Sequence, residues 1–319
     1  MISRAAPFLI PLLLGATQAS PAIPSRPVPL AEGSTLRPED QRVATMGYAL
    51  AIAGRDLCPI KGPVTGLLLH HLAEYLPADR PAMIAAGLDR GPGVLAVVPG
   101  SPADAAGLIA GDVLLAVDGA SFPSPTAIAA IGDDKVWRPK AEASEAMLLD
   151  RLRTGPVMLS VLRNGQPLSL SLGSVNGCAL RIRLARSSQK GAYTVRGYVV
   201  VTTAALALAA NDDELAFVIA HELAHIVLGH TRLLDSEGVP RRGLLRGAGK
   251  SGRIVRQTEE EADQLGGRIM LAAGYDPGRG ALVLPKLGSG PRLGLFETHD
   301  SDKDRIRAMQ ALGKPAAPR

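Results

Sequence analysis

The pentapeptide His221-Glu222-Leu223-Ala224-His225 sets two imidazoles four residues apart with a carboxylate beside the first. On a helix that spacing is about 400° of rotation, so both rings lie on one face and can bind one zinc ion through a ring nitrogen. Glu222 can then meet a water at the metal and act as its base. A third ligand must come from elsewhere. The three-histidine extension of this pattern needs Gly at 228 and His at 231, but those positions hold Leu228 and Thr231, with Gly229 and His230 each one residue off. Downstream, the acids of Glu259-Glu260-Glu261-Ala262-Asp263 are the natural candidates.

The elements that must position these groups are legible in part. Asn211-Asp212-Asp213-Glu214 has the layout of a capping box, and Leu215, Val218, Ile219, Leu223, Ile226 and Val227 then form a broad apolar stripe. The histidine pair therefore rides on a well-started, buried helix, where two imidazoles and a carboxylate need a compensating reason such as a metal. The β-branched run Tyr198-Val199-Val200-Val201-Thr202 predicts a strand before it. Glu259 to Asp263 begins or continues a helix that runs to Gly274, a C-terminal stop before Pro277. Toward the N-terminus, helical spacing from Asp40 to Ala53 leads to Cys58, and a short helix is expected over Leu67 to Leu76. That helix would hold His70 and His71, which point about 100° apart and suit packing better than a shared metal. From Pro81 to Ser174 the character changes to short β-type runs, with Asn164-Gly165 suited to a hairpin turn.

At 319 residues and 46% hydrophobic content the chain can bury more than one core, and with 3% aromatic residues those cores rely on aliphatic side chains. Residues 1–19 have the order of a secretory signal, with Arg4, an apolar run and Thr17-Gln18-Ala19, and residues 20–37 read as a linker. The expectation is an exported, periplasmic protein with no membrane-spanning segment in the mature chain. In that setting the two cysteines, Cys58 and Cys178, are expected to form one disulfide across the β-type segment. The net charge of +5 is mild, and the basic residues between Arg232 and Arg256 lack interleaved aromatics, so nucleic acid is not an expected partner and a solvated loop is.

Two resemblances sharpen this reading. Gly93-Val94-Leu95, Pro99-Gly100-Ser101-Pro102-Ala103, Ala106-Gly107-Leu108, Gly111-Asp112 and Val117-Asp118-Gly119 resemble a bacterial PDZ domain. The resemblance implies capture of a peptide as an added strand, with Gly91, Pro92 and Gly93 holding its carboxylate and the peptide lying between Val94–Val98 and a helix around Met147. The strand Tyr198–Thr202, the histidine motif with His230, Glu259 to Asp263, and Thr298-His299 followed by Arg305-Ile306 resemble the HtpX-like and BepA-like zinc metallopeptidases, a family that includes the CAAX prenyl proteases. Asp300 stands where that family usually has Pro after the histidine corresponding to His299.

The second resemblance implies an α+β chain: a mostly helical zincin-type peptidase domain (38–80 and 175–319) with a small sheet, interrupted by a PDZ-like insert (81–174). It implies one zinc ion on His221, His225 and Glu259, with Asp263 supporting a ligating histidine. Glu222 is then the base, His299 a gate or transition-state donor over the metal, and Arg305 an aid to the oxyanion. Glu260 and Glu261 are expected to be solvated. Substrate would be unfolded or flexible protein, pairing with Tyr198, Val199, Val200, Val201 and Thr202 as an edge strand, in cell-envelope quality control. The rival from another class is a peptide-binding, chaperone-like protein with a structural or silent zinc site.

Overall fold

A computed structural model describes residues 38–130, 142–241, 243–288 and 301–313. The expected signal, the linker and His299 lie outside the described residues. The protein is α+β. Helix α1 (Pro38–Ala53) buries Val43, Met46, Leu50 and Ala51 at helical spacing. It leads to Cys58, which is bonded to Cys178 across 120 residues. Strand β1 (Lys61–Val64) pairs antiparallel with β8 (Val175–Cys178), Lys61 opposite Cys178, so a ladder and a covalent bond close the root of everything between.

That intervening segment forms a sheet in the order β2 (Leu67–His70), β3 (Gly93–Val97), β4 (Val113–Val117), β6 (Val157–Arg163) and β7 (Gln166–Leu172), with β5 (Ala120–Ser121) on β4. Helix α2 (Glu142–Leu152) lays Leu148 and Leu152 on the sheet's core. The expected helix over 67–76 is absent. Leu67–His70 is the end strand of this sheet, followed by a 3₁₀ turn over Leu72–Glu74 that the His71 side chain caps. The error has a physical source. Leu69 faces the insert's own core while Leu68 faces the core shared with α1, so both sides of β2 are apolar and its period of two is invisible.

Beyond the root, β9 (Arg181–Ala185) pairs parallel with β11 (Tyr198–Thr202), whose other side carries β10 (Ala192–Val195) in a hairpin turned at Arg196-Gly197. Against this sheet lies α3 (Asp212–Val227), started by the Asn211 side chain, which accepts from the Glu214 amide at 3.0 Å. Glu214 reaches back to the Ala210 amide, which completes the expected reciprocal cap one residue early. Helix α4 (His230–Ser236) follows, then α5 (Gly249–Ala272), ended before Gly274 at φ 83°, and α6 (Asp302–Leu312). The basic stretch expected as a loop is partly helical, since Lys250, Arg253 and Arg256 sit in the first turns of α5. No helix among the described residues is long and apolar enough to cross a membrane.

Two stability predictions follow from this frame. Removing the disulfide by changing both Cys58 and Cys178 to Ser should cost about 2–5 kcal/mol, because the crosslink restricts the unfolded chain. Urea unfolding should show wild type in reductant matching the double variant. Burial, with the Arg183 charge nearby, pushes the His70 imidazole down to about 3, and burial pushes His71 down to about 4. The unfolded chain takes up those protons below its ordinary value near 6.5, so their contribution is complete above that pH and is lost as pH falls toward 4. Each group should remove roughly 1.4 kcal/mol per pH unit in that window. Unfolding midpoints at pH 7, 6 and 5 should therefore decline, and less steeply in His70→Gln.

Candidate metal centre

Helix α3 presents His221, Glu222 and His225, while its opposite face, with Leu215, Ile219 and Leu223 fully enclosed, anchors it in the core. Helix α5 crosses closely enough that a Cβ at Gly266 would stand 3.1 Å from the Ala220 carbonyl and the His221 amide nitrogen, so only glycine fits without moving a backbone. This approach lays Glu259 against both rings. Glu259 Oε2 is 3.2 Å from His221 Nε2 and 3.6 Å from His225 Nε2, and the two Nε2 atoms are 3.1 Å apart. Tetrahedral zinc with ligand bonds of about 2.1 Å would hold such atoms about 3.4 Å from one another, so the donor set fits.

The electrostatics ask for a cation. Burial opposes a charged His221, yet hydrogen bonds and charge from Asp263 and Glu259 overcome it and hold the imidazole up at about 10. Burial raises the Glu222 carboxyl, while the imidazoles pull it back and Glu259 adds to the rise. The rings are aimed from behind. Asp263 Oδ1 lies 2.9 Å from His221 Nδ1, which leaves Nε2 for the site. Burial would raise Asp263, but Arg305 and His221 hold it down at about 2. On the other ring, His225 Nδ1 lies 2.8 Å from His230 Nδ1, and His230 Nε2 lies 3.1 Å from Glu261 Oε2.

Several expected roles come out as expected in placement, and several are corrected. His221, His225 and Glu259 converge, and Asp263 stands behind His221. Glu261, expected to be solvated, keeps 43% of its side chain exposed and also reaches His230. His230 is brought back onto His225 because Gly229 takes φ 71° at the start of α4, a left-handed turn legible as the glycine before it. Arg305, expected near the oxyanion, donates Nε and Nη2 to the two oxygens of Asp263 at 2.7 and 2.8 Å. Its guanidinium is thereby committed behind His221.

The strand expected at an edge is not at one. Tyr198, Val199, Val200, Val201 and Thr202 are all buried in the central strand β11, with β9 and β10 on either side. Five consecutive apolar or β-branched residues, without alternation, were the signal for a strand covered on both faces. The outer strand next to α3 is β10. The peptide site expected at Gly91, Pro92, Gly93 and Val94 is filled as well, because β3 is paired by β2 on one side and β4 on the other. Pro92 accepts from the Leu114 amide, and side chains at 91 and 93 would strike the Leu114 carbonyl and the His70 ring. These glycines permit strand packing.

Residues 181–245 match the family model of peptidase family M48, and residues 93–135 match that of the PDZ domain. Among solved structures, the HtrA3 PDZ domain bound to a phage-derived ligand is similar at 21% identity, covering 37% of this chain and 89% of that one with a TM-score of 0.26. The HtrA-type protease AlgW with a decapeptide is similar at 22% identity, covering 36% of this chain and 30% of that one with a TM-score of 0.24. No curated protein matches the chain.

Because His230 and Glu261 orient one ligand from behind, His230→Ala and Glu261→Gln should each weaken metal affinity by about 10–100-fold, the range for such supporting partners. Competition against a chromogenic chelator would measure it, with Glu259→Ala expected to lose more than either.

Proposed function

We propose that this chain, of which residues 181–245 match peptidase family M48 and residues 93–135 match the PDZ domain, is a peptidase of that family, a zinc-dependent endopeptidase acting on unfolded or flexible proteins in the cell envelope. The observation that carries the reading is the convergence of His221 Nε2, His225 Nε2 and Glu259 Oε2 within 3.1–3.6 Å of one another, with the Glu222 carboxylate close enough to feel the charge of all three. A zinc ion held there would supply the Lewis acidity that makes water acidic near neutral pH and polarises a carbonyl.

The chain's own groups do the rest. Asp263, clamped by Arg305, fixes the tautomer of His221, and His230 does the same for His225. Glu222 takes a proton from the attacking water on its carboxylate and returns it to the departing amine nitrogen. Burial raises its pKa, against the pull of the neighbouring imidazoles and Arg305. An extended substrate pairs its backbone with the outer edge of β10, which no described strand pairs, beside α3, an interaction that is weakly selective for sequence and excludes folded segments. The PDZ domain holds peptide segments of the same partners. The disulfide and the signal-like residues 1–19 support export to an oxidising compartment, the periplasm.

Glu222→Gln should retain about one zinc per chain and lose cleavage of casein by about 10²–10⁴-fold, the contribution of a general base. Bound zinc with equal, negligible cleavage in both forms would favour the rival, a peptide-binding protein with a structural metal.

A further inference from the structure

Among the described residues, a cleft away from the candidate metal site lies where the insert meets the peptidase segment. Its first wall is the end strand β2, with Leu67, Leu68 and Leu69, which no other described strand pairs on its outer side. The second is α2, with Leu148 and Leu149. The third does not belong to the insert: it is Tyr48 and Ala51 of α1 together with Leu180 and Ile182 on and before β9. The volume is about 80 Å³, room for roughly six waters where one needs about 10–15 Å³, which suits an aliphatic side chain.

The polar groups at this seam say what the occupant should be. Glu145 of α2 lines the cleft, but its carboxylate is already taken by Arg183 of β9 and by the Tyr198 hydroxyl at 2.6 Å. Arg183 also faces Glu74 at 3.5 Å. The acid therefore offers nothing to a cationic ligand. Arg181, stacked 4.2 Å over the Tyr198 ring, leaves the cleft with a positive edge. A strand edge that no described strand pairs, aliphatic walls and the Arg181 guanidinium fit an extended peptide with an aliphatic side chain and no basic residue beside it.

We propose that this cleft is a peptide site built jointly by the two modules, in which residues of the peptidase segment bind the ligand as directly as the insert does. This rests on the reading of the insert as a peptide-binding domain but not on catalysis. Because the ligand touches both modules, its binding strengthens their docking in the proportion by which docking strengthens its binding. A loaded insert is thus held against the sheet that carries β10.

The test uses the full chain carrying Glu222→Gln and four fluorescein-labelled decapeptides ending in Val, Leu, Asp or Lys, with binding read by fluorescence polarisation. The Val and Leu peptides should bind and the Asp and Lys peptides should not. Tyr48→Ala and Leu180→Ser, on different elements of the third wall, should each weaken binding at least about tenfold while circular dichroism and zinc content stay unchanged. Arg181→Gln, at the rim, gives a readout that does not disturb the apolar wall and should weaken binding severalfold. Bound peptide should slow amide exchange in 142–152 and 181–185 together. Binding untouched by Tyr48→Ala, Leu180→Ser and Arg181→Gln but lost in Leu149→Lys would assign the site to the insert alone and overturn the proposal, as would no binding by any peptide. Casein cleavage by wild type is scored separately, so loss of one reading leaves the other standing.

Discussion

The candidate metal site depends on how closely α3 and α5 approach at Gly266. A side chain there would press on the backbone at Ala220 and His221, and the nearest relief would be to move the helices apart. A metal held by those donor atoms would tolerate little such shift, since zinc sites hold their ligand distances to about 0.2 Å. With the contact intact, Glu259 and Asp263, four residues apart on α5, straddle one imidazole: the first reaches Nε2 of His221 and the second Nδ1. One helical turn of α5 therefore places Glu259, sets the orientation of His221, and through Arg305 fixes the position of helix α6. This is an arrangement of backbone proximity first and of charge second.

What could be read beforehand follows from which features are local. The spacing of His221 and His225, the cap at Asn211 and the apolar stripe of α3 lie within one element, and periodicity reports them. The pairing of Cys58 with Cys178 was legible because there were only two cysteines to pair. Glu259 was not legible in that way. Its choice over its neighbours came from resemblance, since nothing in a run of three glutamates says which one faces α3. The structure separates them by helical phase: Glu259 and Asp263 share the face toward α3, whereas Glu261 turns toward His230.

Strand order was the larger loss. A sequence shows that a segment is apolar but not what covers each side of it, so Tyr198–Thr202 and Val94–Val98 were both assigned free edges that neighbouring strands occupy. In each case the occupying strand was short, or was hidden in a run that read as helix. β10 is four residues of mixed character, and β2 has leucines on both faces. Edges are set by long-range pairing, and the pairing partners of β11 and β3 are determined by the crossovers around them rather than by their own residues.

The seam between insert and peptidase segment shows a different use of charge. Buried ion pairs seldom add net stability, because desolvating both partners offsets most of their attraction. Yet Arg183 is buried between Glu145 and Glu74, at a seam lined by Leu148, Leu180 and Ile182. Their value lies in what they forbid. If α2 slid by one turn along β9, Glu145 would lose both Arg183 and the Tyr198 hydroxyl, leaving an uncompensated buried carboxylate at a cost of several kcal/mol, on the order of the whole stability of a domain. Leucines at the same seam would tolerate that slide with little change in buried area. The disulfide fixes where the insert is rooted, and this cluster fixes how it is turned. Together they make the width of the cleft a property of the docked arrangement rather than of either module.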